Sequence, residues 1–213
     1  MTQAKMSILP ATKGFEHIKR FWDPKHHVIT AKILPGECYV SCGGEMVSTV
    51  LGSCISACIR DPVVNVGGMN HFMLPLQQGE PAIMRSALLT PALCYGNWAM
   101  EFLINAILKA GGKKERLEIK VFGGGRVLAG MTNIDVGQQN IDFVVHYLTN
   151  ENLKVIAKDV GDVFPRKVLY FTDTGRVKMK KLTSTYSSEV SIQEEKYLES
   201  IIKKPKDTDV EIF

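Results

Sequence analysis

The chain has no run approaching eighteen consecutive apolar residues, so nothing in it reads as a transmembrane helix. Its first residues, MTQAKMSILPATKG, lack the long apolar core of a signal peptide. A strong excess of one charge is missing too. The 26 Lys and Arg stand against 22 Asp and Glu, a net +4, and the lysines are spread among acids. The footprint of a nucleic-acid-binding surface, a concentrated basic stripe, is therefore absent. No internal repeat is visible. The one glycine triplet, Gly123-Gly124-Gly125, is followed by no Gly-Lys-Ser/Thr, so a phosphate loop is not indicated; a tight bend or a close backbone approach is. With 45% hydrophobic residues and a mean hydropathy of +0.01, the chain reads as an ordinary globular protein. We expect it in the cytoplasm, with no membrane insertion and no nucleic-acid partner.

Five cysteines, an odd number in a chain without an export signal, argue for reduced thiols. Cys38, Cys42, Cys54 and Cys58 form two Cys-x3-Cys pairs, which raises a structural metal site as one reading. Against it, Cys54 to Cys58 alternates like a strand, whereas zinc knuckles sit on turns. We expect no metal and no cofactor. Cys58 shares a side with Cys54 and reads as packed beneath it, and Cys94 stands before a helix.

What the chain does have is the stretch from Met46 to Pro75. Val47, Thr49 and Leu51 alternate with Met46, Ser48 and Val50; after Gly52-Ser53, Ile55, Ala57 and Ile59 alternate with Cys54, Ser56 and Cys58. Both runs read as strands, and the Gly-Ser pair predicts a β-hairpin with Cys54 at its bend. A third run, Val63 to Leu74, holds Gly67-Gly68, which reads as a bulge or tight bend, and then Asn70 and His71. If the three strands share a sheet, thiol and imidazole meet across it. A free thiol is mostly protonated at neutral pH; a nearby imidazole takes it towards the nucleophilic thiolate and can protonate a leaving amine. A small buried cysteine and a packed histidine are the ordinary alternative. Backbone N–H groups at Gly52-Ser53-Cys54 are candidates for an oxyanion hole.

Elsewhere, residues 1–30 read as an N-terminal extension whose aromatics pack on the surface, and Lys32 to Val40 as a short strand broken at Pro35-Gly36. The stretch 76–93 reads as a loop with Gly79, Pro81 and Pro91. Helical spacing predicts helices over Tyr95–Ala110, Val136–Thr149 and Glu189–Lys203; alternation predicts strands over Leu117–Phe122, Leu153–Val160, Lys167–Thr172 and Arg176–Leu182. The last two strands flank the turn Asp173-Thr174-Gly175. Thr183–Ser188 reads as a linker, and the tail as folding back on the domain. The fold class is α+β: mixed β-sheets in a layered core flanked by helices, one domain over 31–182 with the extension 1–30 before it and the linker and helical tail 183–213 after it.

The segments STVLGSCISACIRDP and GGMNHFMLP, with KVFGGGRVL, VGQQNIDFVVHYL and KDVGDVFPRKVLYFTDTGRVKMKKL in that order downstream, resemble the CheD family, the chemoreceptor glutamine deamidases of bacterial chemotaxis. The resemblance spans Ile33 to Leu182. It implies conversion of receptor glutamine side chains to glutamate with release of ammonia, Cys54 as nucleophile and His71 as proton carrier. It also implies a hydroxyl residue six positions before the cysteine, which is Ser48 here, with Thr49 beside it. Asn70 is a candidate to orient His71, or satisfies a strand edge. The implied partners are the cytoplasmic helical bundle of a chemoreceptor, as substrate, and a chemotaxis phosphatase of the CheC type. A non-catalytic adaptor that binds such a phosphatase is the alternative function.

Overall fold

The computed structural model describes residues 8, 10–74, 91–127 and 135–203. Ten strands among them form two five-stranded sheets. The first runs, edge to edge, β1 (Lys19–Asp23), β2 (Val28–Lys32), β4 (Met46–Leu51), β9 (Arg166–Phe171), β10 (Val177–Lys181). The second runs β3 (Cys38–Ser41), β6 (Val66–Asn70), β5 (Ile55–Asp61), β7 (Glu118–Gly123), β8 (Val155–Val160). Each contains one parallel pair, β2 with β4 and β7 with β8, so both sheets are mixed. The helices are α1 (Pro91–Lys109), α2 (Val136–Asn150) and α3 (Ser184–Lys203). No helix among the described residues is long and apolar enough to cross a membrane.

Alternation within the strands sets the layers. In β4, Val47, Thr49 and Leu51 turn to the buried interior, while Ser48 and Val50 lie opposite Leu169 and Lys167 on the outer face of the first sheet. In β6, Gly67 comes up against the carbonyl of Thr172 at the end of β9, so its side of the second sheet faces the first. Gly68, on the other side, lies beneath Leu103 of α1. The order is thus sheet, sheet, helices, with α1 and α2 on the far face of the second sheet and a continuous apolar core through the layers. The α+β layered reading holds.

The hairpin expected at Cys54 does not form. β4 pairs with β2 and β9, and β5 with β6 and β7, so Gly52-Ser53-Cys54 carries the chain from one sheet to the other. Alternation cannot say which strands pair. Gly67-Gly68 makes no bulge either: β6 keeps unbroken register with β3 and β5. The glycines serve the close approach of the layers. Part of the stretch 1–30 supplies the β1–β2 pair of the first sheet. Helix α3 begins at Ser184, within the expected linker, and Cys94 and Pro91 lie in α1. Gly79, Pro81 and the tail beyond 203 lie outside the described residues.

A β-carbon at Gly68 would stand 2.5 Å from the Tyr39 carbonyl oxygen and 2.8 Å from Leu103 Cδ1. Because backbone cannot yield cheaply there, Gly68→Ala is expected to lower unfolding free energy by about 1–3 kcal/mol, read from urea midpoints at unchanged m-value.

Candidate active site

The crossing from β4 to β5 is held by its carbonyls. Gly125 N–H donates to the Gly52 carbonyl at 2.7 Å, and Gly124 N–H to that of Cys54 at 2.7 Å. Asn140 of α2, fully buried, donates through Nδ2 to the Ser53 carbonyl at 2.8 Å and accepts the Leu74 N–H at 2.8 Å. The glycine triplet is therefore a close approach, as its sequence suggests. Gly123 has a φ of +112°, and a β-carbon there would meet the Cys54 carbonyl oxygen at 2.2 Å. Arg166, also fully buried, braces the loop behind: it donates to Asp159, Phe164 and Gly161 at 2.7, 3.0 and 2.7 Å.

With the Gly52 and Ser53 carbonyls tied back, the N–H groups of the same peptide units, those of Ser53 and Cys54, point the other way, and the Gly52 N–H joins them. They converge on the carboxylate of Glu194, from α3. Gly52 and Cys54 donate to Oε1 at 2.8 and 3.2 Å; the N–H and hydroxyl of Ser53 both donate to Oε2 at 2.7 Å. The site is an anion-binding nest of backbone donors.

His71 comes from the end of β6. Its N–H donates to the Glu37 carbonyl at 2.9 Å, and its carbonyl accepts the Gly36 N–H at 2.7 Å. Past it the β5–β6 pairing continues in a two-hydrogen-bond bridge between Ile55 and Phe72. In that register Cys54 and His71 are diagonal neighbours on the face turned towards the first sheet. Cys54 Sγ, a ring nitrogen of His71 and a carboxylate oxygen of Glu194 all lie within 4.8 Å of one another. The hydroxyl of Thr49 donates to the Ile33 carbonyl at 2.9 Å, and therefore accepts from His71 Nδ1–H at 2.8 Å. This fixes the tautomer with a bare Nε2, which has no hydrogen-bond partner among the described residues.

Of the residues singled out in the sequence, the fold brings together Cys54, His71, Thr49 and the Gly52-Ser53 bend. Ser48, placed beside Cys54 by alternation, is corrected to the outer face opposite Leu169; the bend separates two sheets, so parity does not carry across it. The side-chain hydrogen bonds of Asn70 go elsewhere than to His71. Its Oδ1 accepts the Ala57 N–H at 2.8 Å, and its Nδ2 donates to the Ala99 carbonyl at 3.1 Å, which ties β5, β6 and α1. Glu194 and Asn140 escaped sequence reading. Asn140 leaves a signal, a polar residue beside Ile141 and Val144 on a core-facing helix; Glu194 leaves none among the other acids of its helix.

Among the described residues no three of Cys38, Cys42, Cys54 and Cys58 come together, and the group able to gather about a cation is Cys54, His71 and Glu194. There the Glu194 oxygens each take two hydrogen bonds already and His71 Nδ1 is engaged, which suits an anion better than a metal. Beside the site, a groove of about 990 Å³ runs between α3 and the outer face of the first sheet; Lys32, Lys167, Lys178, Lys180 and Lys196 line it and it reaches Thr49 and His71.

Burial, and then the charge and hydrogen bond of Glu194, push the Cys54 thiol well above its ordinary value; burial alone takes His71 down to about 3. Both groups are neutral in this state. The unfolded chain holds a proton on this histidine at pH values where the folded chain does not, so stability is complete above about pH 6.5 and falls with acidification towards 3. The groups facing the ring are Thr49, Cys54 and Glu194. We expect unfolding free energy to fall by up to about 1.4 kcal/mol per pH unit from this residue below pH about 6, and urea titrations of His71→Asn to show a correspondingly flatter profile.

Residues 73–181 match the family model described as CheD chemotactic sensory transduction. A protein of Saccharophagus degradans is 54% identical over the whole of this chain and 97% of its own length. One of Halorhodospira halophila is 52% identical over 94% of this chain and 92% of its own, and one of Hydrogenovibrio crunogenus 48% over 90% and 97%. Each of the three is named a probable chemoreceptor glutamine deamidase CheD. With more than half its residues matched by the family model and such relatives along its full length, this chain belongs to the CheD family.

Proposed function

We propose that the chain is a cytoplasmic protein-glutamine deamidase whose substrates are glutamine side chains of chemoreceptors. The observation that carries this reading is the convergence of three backbone N–H groups on a carboxylate beside a thiol and an imidazole. A tetrahedral oxyanion formed at that place has its charge met by fixed donors. The relatives' names supply the substrate.

Cys54 and His71 act as the pair. Nε2 takes the thiol proton as Sγ adds to the carboxamide carbon; the C–S bond forms and the carbonyl π electrons move to oxygen, against the N–H groups of Gly52 and Cys54. When the C=O re-forms, the C–N bond breaks, and the proton on Nε2 leaves with ammonia. Water then gives a proton to Nε2 and its oxygen to the thioester carbon. The C–S bond breaks, the proton returns to sulfur, and glutamate is released. Water consumed and ammonia released balance. Thr49 is a positioning residue, since it holds Nδ1–H so that Nε2 stays free for these transfers.

Mass spectrometry of a purified chemoreceptor cytoplasmic fragment tests the reaction. Each deamidated glutamine gains about one mass unit, NH2 being exchanged for OH. The gain is expected at a few glutamines with the wild type and at none with Cys54→Ala or His71→Ala; no gain with folded wild type overturns the reading. Thr49→Val is expected to lower kcat by roughly ten- to a hundredfold, as loss of a buried hydrogen bond does, while Ser48→Ala stays within about twofold.

A further inference from the structure

We propose that α3 is an internal product analogue: it places the Glu194 carboxylate where the substrate's side chain must react, so that the enzyme works when α3 leaves and rests when it returns. The inference rests on the deamidase reading above and adds its regulation and a second, intramolecular substrate position.

The contacts of Glu194 are those a glutamate product would make. Both carboxylate oxygens face donors, one the N–H groups of Gly52 and Cys54, the other the N–H and hydroxyl of Ser53. Its side chain is 2% exposed, and it lies against the nucleophile and the imidazole. A carboxamide in the same pose keeps its oxygen on the N–H groups of Gly52 and Cys54 and sets its NH2 beside Ser53, where the hydroxyl can turn to accept; the acid keeps one hydrogen bond more, so the pose holds the product more tightly than the amide it still admits. Gly52 makes the approach possible, since a β-carbon there would stand 2.6 Å from Glu194 Oε2.

The rest of α3 aligns this side chain. Val190, Glu194, Tyr197 and Leu198 form one stripe, with Val190 and Leu198 buried. The Tyr197 hydroxyl bonds that of Tyr95 on α1 and sits over Gly36, while Ser191 donates to the Val127 carbonyl at 3.0 Å. The seat is thin. Among the described residues Ile192 is half exposed and the groove of about 990 Å³ opens along the helix, which leaves Val190, Tyr197 and Leu198 to hold it on the core. While α3 is seated, burial and the carboxylate beside Cys54 keep the thiol protonated. Substrate entry and thiol activation therefore depend on one movement.

Full-length protein provides the test. Glu194→Ala is expected to raise the rate of iodoacetamide labelling at Cys54, resolved by peptide mass spectrometry, by at least about tenfold, and to speed deamidation of the receptor fragment in step. Glu194→Gln is the second variant. In it Cys54 Sγ attacks the carboxamide of position 194 itself, the C–N bond breaks with release of ammonia, and water restores the thiol, so the purified protein is expected to carry glutamate there. The same substitution combined with Cys54→Ala should keep its amide. An unchanged labelling rate in folded Glu194→Ala overturns the proposal. So does an amide that persists at 194 in a variant that still deamidates the receptor fragment. If labelling rises and the amide at 194 is hydrolysed while no form acts on the receptor fragment, α3 has the role proposed and the receptor as substrate is what fails.

Discussion

The structure depends on three carbonyl groups that are not free to move. Those of Gly52, Ser53 and Cys54 are each bonded from behind, two by Gly124 and Gly125 just past β7 and one by Asn140 of α2. A peptide unit has its N–H and C=O on opposite sides, so fixing the Gly52 and Ser53 carbonyls aims the donors of Ser53 and Cys54. The donors are thus oriented by a strand end and a helix rather than by the loop that carries them. In the proposed reaction nothing has to reorganise when negative charge develops between them, which is the condition under which such hydrogen bonds contribute most. Gly123 is part of the same arrangement, since any side chain there would lift β7 from the Cys54 carbonyl.

Burial gives the site two electrostatic faces. The nest is polar and accepts an anion, whereas thiol and imidazole sit at the edge of an apolar core and are neutral in the closed form. An ion pair of thiolate and imidazolium would have to form in surroundings that disfavour both charges. Thr49 matters because its single hydroxyl proton is already given to Ile33, which leaves only one tautomer for His71.

Local chemistry was readable in the sequence and distant pairing was not. Cys54, His71 and the Gly52-Ser53 bend stood out because their residue types and punctuation are unusual in strands. The ends of α1, α2, β7, β9 and β10 followed from periodicity within a residue or a few. The hairpin reading failed because alternation describes a strand's two faces and not its neighbours, and with it went the assignment of Ser48. Gly67 and Gly68 read as a bend since glycine is ambiguous between a bend and a tight contact; the contact is with Tyr39, Leu103 and Thr172, far away in the chain. Glu194 was invisible for the same reason: 140 residues separate it from Cys54.

The crossing between sheets has one more result. Thr49 belongs to one sheet and His71 to the other, so the tautomer that leaves Nε2 bare is defined only after the two sheets have docked. A nascent or partly folded chain owns an ordinary cysteine with no oriented base beside it. The proposed catalytic pair comes into being with the native topology, and a chain that stops short of it has the thiol without the oriented base.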